Sequence, residues 1–347
     1  ASDELFAERE NLIKPGDPVF QPHTFGHKGQ IMDGWETRRR REPGHDHAIV
    51  RLGSGGVVRR VVVDTSFFTG NYPPEVSVQA CGAEGYPGPG ELAAAGWSTL
   101  VPRSPVQGDT RNEFTVTAEQ RFTHVRLTIY PDGGVARLRV FGEPVPDPRL
   151  LPGVIDLAAL ENGALVTGSS NSFYNSAANL IMPGLARVMG EGWETSRRRD
   201  QGHDWVAVQL ACAGAVELAE LDTSCFVGNA PGWASLRGDG GDLLPRTALQ
   251  PDTRHRFAIA GGPVARQIRL DVYPDGGMAR LRVYGAPTPE AREALASRFL
   301  QLLPPSQLVA ILTAAGVPPT GAAGRAAGAG LADLPPSLRA PFRLAPH

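Results

Sequence analysis

The sequence predicts an all-β protein made of two tandem jelly-roll β-sandwiches, followed by a short helical and irregular C-terminal tail. Three observations support this prediction: a long polar signature occurs twice, many short segments alternate apolar and polar residues, and Gly, Pro, Asn and Asp turns separate those segments. Many short strands in a unit of about 130 residues are typical of a β-sandwich and favour a jelly roll. We therefore expect each copy of the signature to belong to one sandwich.

The repeated signature reads GWETRRRREPGHD at residues 34–46 and GWETSRRRDQGHD at residues 192–204. The same offset extends without a gap to DTSFFTGN at residues 64–71 and DTSCFVGN at residues 222–229. The offset is shorter at the two YPDGG motifs, which occupy residues 130–134 and 273–277. The first copy therefore carries extra residues, which we place in the Gly/Pro-rich run 82–96, since a surface loop tolerates insertions.

These boundaries predict three segments along the chain. The first sandwich repeat is expected at residues 1–145, the second at residues 153–287 and the tail at residues 288–347. The Pro-rich residues 143–152 would link the two repeats. The second copy has a strand-like segment at residues 164–167, ahead of the point where the first copy begins, so we expect a few residues to be missing upstream.

The tail changes in composition along its length. Residues 289–303 predict an amphipathic helix, and residues 306–315 predict a second, shorter one. The Ala/Gly/Pro-rich remainder is typical of a segment that is poorly ordered or draped over the body.

Period-two alternation identifies the individual strands. Apolar and polar residues alternate on both sides of each YPDGG motif, which predicts a hairpin of two half-buried antiparallel strands closing each copy. Further strand candidates in the first copy are residues 48–52, 57–64, 75–80 and 114–117. Their partners in the second copy are residues 206–210, 216–222 and 256–260.

Composition and charge argue against several classes of protein. A net charge of −2 removes the main electrostatic reason to expect nucleic acid as a partner. No apolar run approaches the roughly 20 residues needed to span a bilayer. Three cysteines, Cys81, Cys212 and Cys225, lack CxxC spacing, which fits a reducing cytoplasm and argues against a zinc cluster. We expect a cytoplasmic protein that binds neither nucleic acid nor membrane.

The signature brings a carboxylate, several guanidinium groups and a His-Asp pair into one turn-rich segment. Such a set could hold a small carboxylate by bidentate Arg contacts and supply a general acid or base. Alternatively, Glu36 and one Arg form a buried structural pair while Arg38 and Arg41 are solvated. His45 and Asp46 could be an acid/base dyad, metal ligands or turn residues. Because no HExxH-like or Cys/His cluster is present, we predict no cofactor, with a divalent metal as the alternative.

Polar residues at strand ends are further candidates. Asp64 and Asn71 flank a loop after an apolar strand, where side chains often contact ligands, although Asx turns give the same pattern. By alternation, Tyr130, Arg137 and Arg139 point away from the core. They could line a cleft or an interface, but a solvated face is the commoner explanation.

The candidate residues fall into two groups. The catalytic candidates are carboxylates and histidines present in both copies: Glu36, His45, Asp46, Asp64, Glu194, His203, Asp204 and Asp222. The substrate-binding candidates are cationic, amide and phenol side chains: Lys28, Arg39, Arg40, Asn71, Arg103, Tyr130, Arg197, Arg198, Asn229, Arg246 and Tyr273.

The repeated blocks closely resemble the allantoicase family. The resemblance rests on MDGWETRR, GHD, DTSFFTGN and YPDGG at residues 32–39, 44–46, 64–71 and 130–134, and on their second-copy equivalents. It covers residues from about 5 to 285 and leaves the tail outside, and Ser196 stands in the second copy where the first has Arg38. The resemblance implies two galactose-binding-like jelly rolls, homo-oligomeric assembly, and hydrolysis of allantoate to ureidoglycolate and urea in purine degradation.

Allantoate suits the polar residues of the signature, because it carries one carboxylate and two ureido groups on a single carbon. We expect Arg39 or Arg40 to bind the carboxylate and Glu36 and Asn71 to hold ureido groups. We expect His45, oriented by a carboxylate such as Asp46 or Asp64, to move protons.

Three questions stay open at this point. Both copies could be active, or one could be a structural duplicate. A non-enzymatic jelly-roll protein that binds a small ligand or carbohydrate is the competing function, although aromatic residues for sugar stacking make up only 7% of the chain. A metal-dependent hydrolase is the third option.

Overall fold

The computed structural model describes residues 1–27, 29–314, 316–318, 339 and 342. These residues form two compact units. Unit 1 contains Ala1–Glu143 and Leu302–Ile311. Unit 2 contains Pro144–Gln301 and the described residues from Leu312 onward.

Unit 1 contains the first copy of the signature, and most of its regular secondary structure is β-strand. Its strands are β1 (Phe25–Gly26), β2 (Gly29–Gln30), β3 (Trp35–Glu36), β4 (Asp46–Asp64), β5 (Glu75–Cys81), β6 (Ser98–Pro105), β7 (Arg111–Thr115), β8 (Arg121–Tyr130), β9 (Gly134–Val135) and β10 (Arg137–Pro144). A 3-10 helix covers Arg9–Ile13, and helix α1 (Pro89–Ala93) lies in the connection between β5 and β6.

Strand β4 joins the two layers of the first repeat. Its first half pairs with β8 in the order β4-β8-β5-β6, and its second half pairs with β7 and β10. The register shifts between Arg51 and Gly56, where the strand passes from one layer to the other. Alternate residues from both halves, including Ala48, Val61 and Val63, fill the core between the layers.

Unit 2 repeats this arrangement with an additional strand at each side. Its strands are β11 (Ile155–Asp156), β12 (Leu165–Ser169), β13 (Trp193–Glu194), β14 (Asp204–Asp222), β15 (Trp233–Gly238), β16 (Gly241–Ala248), β17 (Arg254–Ala258), β18 (Val264–Tyr273), β19 (Gly277–Met278) and β20 (Arg280–Pro287). The 3-10 helices are Pro148–Leu150, Leu160–Asn162, Ala177–Ile181 and Met189–Glu191.

The long strand β14 has the role that β4 has in unit 1. Its first half lies between β12 and β18, and its second half lies between β20 and β17. The predicted all-β fold of two tandem jelly-roll sandwiches with a short helical tail is therefore confirmed.

A buried tryptophan anchors the signature in each repeat. Trp35 and Trp193 have no exposed surface, and their indole N–H groups donate to the backbone oxygens of Asp3 (2.8 Å) and Asn171 (2.7 Å). These hydrogen bonds satisfy the only polar atom of each buried indole.

Two expectations about the strands are wrong, one about where a strand ends and one about how strands pair. Residues 48–52 and 57–64 form one continuous strand, because Gly53 to Gly56 bend the chain without ending the ladder. The predicted YPDGG hairpin does not form, since β8 pairs with β4 and β5 while β10 pairs with β4. The alternation shows that a strand is half-buried, but it does not show which strand is its partner.

The solvated face proposed for Arg137 is also wrong. This side chain is buried, and its guanidinium donates to the carboxylate of Asp33 (2.6 Å) and to the backbone oxygen of Gly16 (3.0 Å). Arg280 occupies the equivalent position in unit 2 and donates to the backbone oxygens of Gly184 and Glu191. Both arginines tie the loop before the signature to the sandwich.

The long connection in the first copy lies where it was predicted. Residues 82–97 separate β5 from β6, whereas only Asp239 and Gly240 separate β15 from β16. The tail helices are also confirmed, as α2 (Pro289–Leu302) and α3 (Pro305–Ala314). The Ala/Gly/Pro-rich remainder falls almost wholly outside the described residues. Within the described part of the chain, no helix is long and apolar enough to cross a membrane.

Candidate active site

Each repeat holds a glutamate and an asparagine together beside the YPDGG turn. Glu36 lies opposite Gly134 in the β3–β9 ladder, and its Oε1 accepts a hydrogen bond from Asn71 Nδ2 at 2.7 Å. The amide of Gly134 donates to the backbone oxygen of Asn71 at 2.7 Å, which fixes the asparagine. In unit 2, Glu194 accepts from Asn229 at 2.6 Å. The structure therefore brings together two predicted site residues in each copy.

The Glu36–Asn71 pair of the first repeat borders a cleft of about 410 Å³. Aromatic side chains contribute to its wall, and the rings of Phe20 and Phe67 stack there with centroids 5.5 Å apart. Burial raises the pKa of Glu36 above its ordinary value, and the hydrogen bond from Asn71 opposes this effect. A carboxyl group beside a carboxamide offers a ligand hydrogen-bond acceptors and donors side by side.

The backbone that presents Phe67 to this cleft is unusual. Its φ is 68°, in the left-handed region that bulky residues rarely adopt. The carboxylate of Asp109 accepts the Phe67 amide at 2.7 Å and holds this conformation. In unit 2 the equivalent residue, Cys225, has a φ of 71° and donates its amide to Asp252.

A second set of polar side chains in the first repeat surrounds Tyr130, the first residue of the YPDGG motif. The exposed ring of His45 lies 5.6 Å from that of Tyr130, and the guanidinium of Arg103 lies 4.3 Å over the same Tyr130 ring. Arg103 is also paired with Glu75, its Nε donating to Oε2 at 2.8 Å. We call these three side chains, His45, Tyr130 and Arg103, the first stack.

The second stack consists of His203, Tyr273 and Arg246. The ring of His203 lies 4.6 Å from that of Tyr273, and the Arg246 guanidinium lies 4.2 Å over Tyr273. Here the histidine has a carboxylate partner, because its Nε2 lies 3.0 Å from Asp271 Oδ1. The two stacks thus have the same composition but different neighbours.

The carboxylates expected to orient His45 do not contact it. Asp46 is buried and accepts hydrogen bonds from Ser2 Oγ (2.8 Å) and from Arg40 Nε (3.1 Å). Asp64 accepts from the backbone amide (2.9 Å) and hydroxyl (2.6 Å) of Ser66, which makes it the cap of a tight turn.

The second-copy carboxylates have corresponding positions. Asp204 accepts from Ser170 Oγ and Arg198 Nη1, both at 2.8 Å, and Asp222 accepts from the amide of Ser224 at 2.8 Å. One oxygen of Asp204 and one of Asp222 have no hydrogen-bond partner in the described part of the chain. In both copies the aspartate that follows the histidine pairs with an arginine of the signature.

The remaining cationic candidates differ in whether an acidic side chain already neutralises them. Arg40 and Arg198 are neutralised by Asp46 and Asp204. Arg39 and Arg197 are exposed and have no acidic partner among the described residues. Lys28 lies outside the described residues.

Three residues at these sites were not among the predicted candidates. Phe20 and Phe67 line the cleft, and Asp271 is the partner of His203. Asp271 was missed because the catalytic candidates were limited to residues present in both copies, and the first copy has Thr128 at this position. A signal was available, since Asp271 is the one acidic residue of β18 and lies between the apolar residues Leu270 and Val272. In the ranges that the structure describes, no group of three or more His, Cys, Asp or Glu side chains could hold a metal ion.

Comparison with known proteins places both repeats in one family. The family model described as the allantoicase repeat matches residues 1–145 and 155–288. A Nocardia farcinica protein named "Probable allantoicase" is 58% identical over 294 residues, which cover 82% of this chain and 89% of that protein. A "Probable allantoicase" from Streptomyces coelicolor is 49% identical over 322 residues, which cover 87% of this chain and 86% of that protein.

A solved structure agrees with these matches. The crystal structure of allantoicase from Saccharomyces cerevisiae aligns with a TM-score of 0.71 and 34% identity, covering 82% of this chain and 88% of that one. The resemblance inferred from the two signatures is confirmed. This chain belongs to the allantoicase family.

Proposed function

We propose that this protein is an allantoicase, which hydrolyses allantoate to ureidoglycolate and urea in purine degradation. The observation that carries the proposal is the family match, which extends over both repeats and includes a relative that is 58% identical. The polar groups around each YPDGG turn support it, because they complement the three functional groups of allantoate.

We assign the Glu-Asn pairs to the ureido groups of the substrate. A ureido group presents N–H donors and a carbonyl acceptor in one plane, and a carboxyl beside a carboxamide offers the matching acceptors and donors. The contact between Glu36 and Asn71 uses one oxygen of Glu36 and leaves the other for a ligand. The cleft beside this pair, about 410 Å³, exceeds the volume of so small a molecule.

We assign the carboxylate of allantoate to an arginine without an acidic partner. Arg39, Arg197 and Arg246 have no such partner within the described residues, whereas Arg40, Arg103 and Arg198 are paired with carboxylates. A free guanidinium can bind a carboxylate through two parallel hydrogen bonds.

The reaction needs one proton moved in each direction. Water gives up a proton as its oxygen bonds to the central carbon, the bond from that carbon to a ureido nitrogen breaks, and the departing nitrogen takes a proton. A histidine can accept the first proton and return it to the leaving urea. Each stack supplies one such histidine beside the turn, His45 or His203.

The proposal is tested by incubating the purified protein with allantoate and measuring urea and ureidoglycolate. Equimolar formation of both products is expected, with about 10²-fold or greater loss of turnover when Glu36→Gln and Glu194→Gln are combined. Absence of both products would refute the assignment. Dialysis against a chelator, followed by the same assay, tests the prediction that the enzyme needs no divalent metal.

The competing function, a non-enzymatic jelly-roll protein that binds a small ligand or carbohydrate, is not favoured. The family match extends through both repeats, and the side chains at each turn are mainly charged or amide groups. Homo-oligomeric assembly and a cytoplasmic location stay predictions.

A further inference from the structure

We propose that Asp271 is a positioning residue for His203, and that the second stack is consequently the place where protons are moved during allantoate hydrolysis. This inference rests on the proposed function and adds to it the identity of the active repeat. It depends on three contacts that have no counterpart among the described residues of the first repeat.

The first contact fixes the imidazole of His203. Asp271 Oδ1 lies 3.0 Å from Nε2, and the Asp271 carboxylate is almost completely buried. Because a carboxylate accepts hydrogen bonds only, the proton of the neutral ring must be on Nε2. The other ring nitrogen, Nδ1, then carries a lone pair that can accept a proton from water.

The second contact holds the carboxylate itself. Arg269 Nε donates to Asp271 Oδ1 at 2.7 Å, and Asp271 lies in the middle of the sheet, opposite Trp205 on β14 and Ser235 on β15. Because strands pair with Asp271 on both sides, its carboxylate cannot move with the His203 ring if that ring rotates. The His203 ring is therefore held at one orientation against Tyr273.

The first repeat has no equivalent of this pair. Thr128 occupies the position of Asp271, since it lies opposite His47 on β4 and Ser77 on β5. Neither ring nitrogen of His45 has a hydrogen-bond partner among the described residues, and its ring lies a further 1 Å from its tyrosine, 5.6 Å against 4.6 Å. His45 is thus free to rotate and to take either tautomer.

The third difference concerns the arginine of each stack. Glu75 lies opposite Tyr130 in the first repeat and neutralises Arg103. Trp233 lies opposite Tyr273 at the same position of the second repeat, and Arg246 lies 5.7 Å over its ring. Arg246 consequently keeps its charge available for the carboxylate of allantoate beside the oriented His203.

The chemical step follows from this arrangement. His203 Nδ1 accepts a proton from water as the water oxygen bonds to the central carbon of allantoate. The bond to the ureido nitrogen breaks, its electron pair stays on nitrogen, and the imidazolium returns the proton to that nitrogen. Urea and ureidoglycolate leave, and His203 is again neutral.

The test compares Asp271→Thr, which installs the first-repeat residue, with Thr128→Val as the matched control. We expect Asp271→Thr to lower kcat about 10-fold or more with KM changed by less than about 3-fold, and Thr128→Val to change neither. The double variant His203→Ala/Asp271→Thr should be no slower than His203→Ala, because Asp271 acts through His203. Asp271→Asn, with unfolding followed in parallel, replaces Asp271→Thr if the latter does not fold.

A spectroscopic measurement separates positioning from a purely structural role. Side-chain ¹⁵N resonances of His203, assigned by their loss in His203→Ala, should show the Nε2-protonated tautomer in the wild type and a mixture in Asp271→Thr. The inference is overturned if His203→Ala keeps near-normal turnover, if the two substitutions have additive effects, or if the tautomer does not change. If the wild type does not hydrolyse allantoate, the proposed function fails instead, and the tautomer still reports on the His203–Asp271 contact.

Discussion

The two repeats share a scaffold but differ in the side chains around their histidines. Both contain the buried tryptophan, the Glu-Asn pair, the Arg-Asp pair of the signature and a histidine against a tyrosine. In the second repeat Asp271 accompanies the histidine and Trp233 accompanies the arginine, where the first repeat has Thr128 and Glu75.

The first repeat differs in another respect, since it has the longer loop before its signature. This loop carries β1 and β2, and its Phe20 helps to line the cleft beside Glu36. In the duplicated chain, the contacts present in both copies mainly hold the turn and the strands together. Only in the second repeat does a carboxylate contact the histidine of the stack while the arginine of the stack lacks an acidic partner among the described residues.

The largest expected effect is on the free energy of unfolding, and it tests whether the two repeats have equivalent scaffolds. A Cβ added at Gly134 would lie 2.0 Å from the Phe68 ring, and one at Gly277 would lie 2.0 Å from the Phe226 ring. Both rings are fully buried and cannot move aside, so Gly134→Ala and Gly277→Ala should each destabilise the protein by about 2–3 kcal/mol. Denaturant unfolding monitored by fluorescence measures this, and a neutral result at either glycine would break the equivalence.

A smaller effect is expected from transferring the first-repeat acid to the second stack. Trp233→Glu places a carboxylate opposite Tyr273, where it can pair with Arg246 as Glu75 pairs with Arg103. We expect KM for allantoate to rise about 5–10-fold with kcat nearly unchanged, since an ion pair would compete with substrate. Steady-state kinetics check this, and Trp233→Gln, which is polar but neutral, is the control. An equal rise in KM for both variants would show that the charge is irrelevant.

The smallest effect concerns the pH dependence of stability at Glu36. Burial raises the pKa of Glu36, so the folded protein favours the protonated carboxyl and its ionisation costs stability. This cost is absent below the ordinary pKa and complete above the raised one. Glu36→Gln should match the wild type in acid and exceed its unfolding free energy by less than about 1 kcal/mol at neutral pH. If Glu36→Gln is less stable than the wild type at neutral pH, ionisation of Glu36 does not cost stability in the folded protein.

Much of the fold could be predicted from the sequence, because period-two alternation reports directly on which face of a strand is buried. The repeated blocks also marked Glu36 and Asn71 as candidate site residues, and the two side chains contact each other beside the same turn. Pairing between strands was harder to predict. Nothing in the alternation of residues 121–130 shows that their partners are β4 and β5 and not the strand that follows the turn.

The site was less predictable for a related reason. The presence of a residue in both copies was taken as a sign of chemistry, yet Asp46 and Asp64 are engaged in contacts that hold the scaffold. Asp271 and Phe67 escaped notice because their importance depends on which strands and loops come together in space. A histidine's neighbour across a sheet lies far away in sequence, at residue 271 for His203, so spacing alone does not indicate it.

If the second repeat moves the protons of allantoate hydrolysis, His203 and His45 contribute unequally to turnover. The most direct test is a side-by-side measurement of kcat on allantoate for His45→Ala and His203→Ala in the full chain. The structure predicts a loss of about 100-fold or more for His203→Ala and a loss at least about ten times smaller for His45→Ala. Equal losses, or a greater loss for His45→Ala, would contradict the claim.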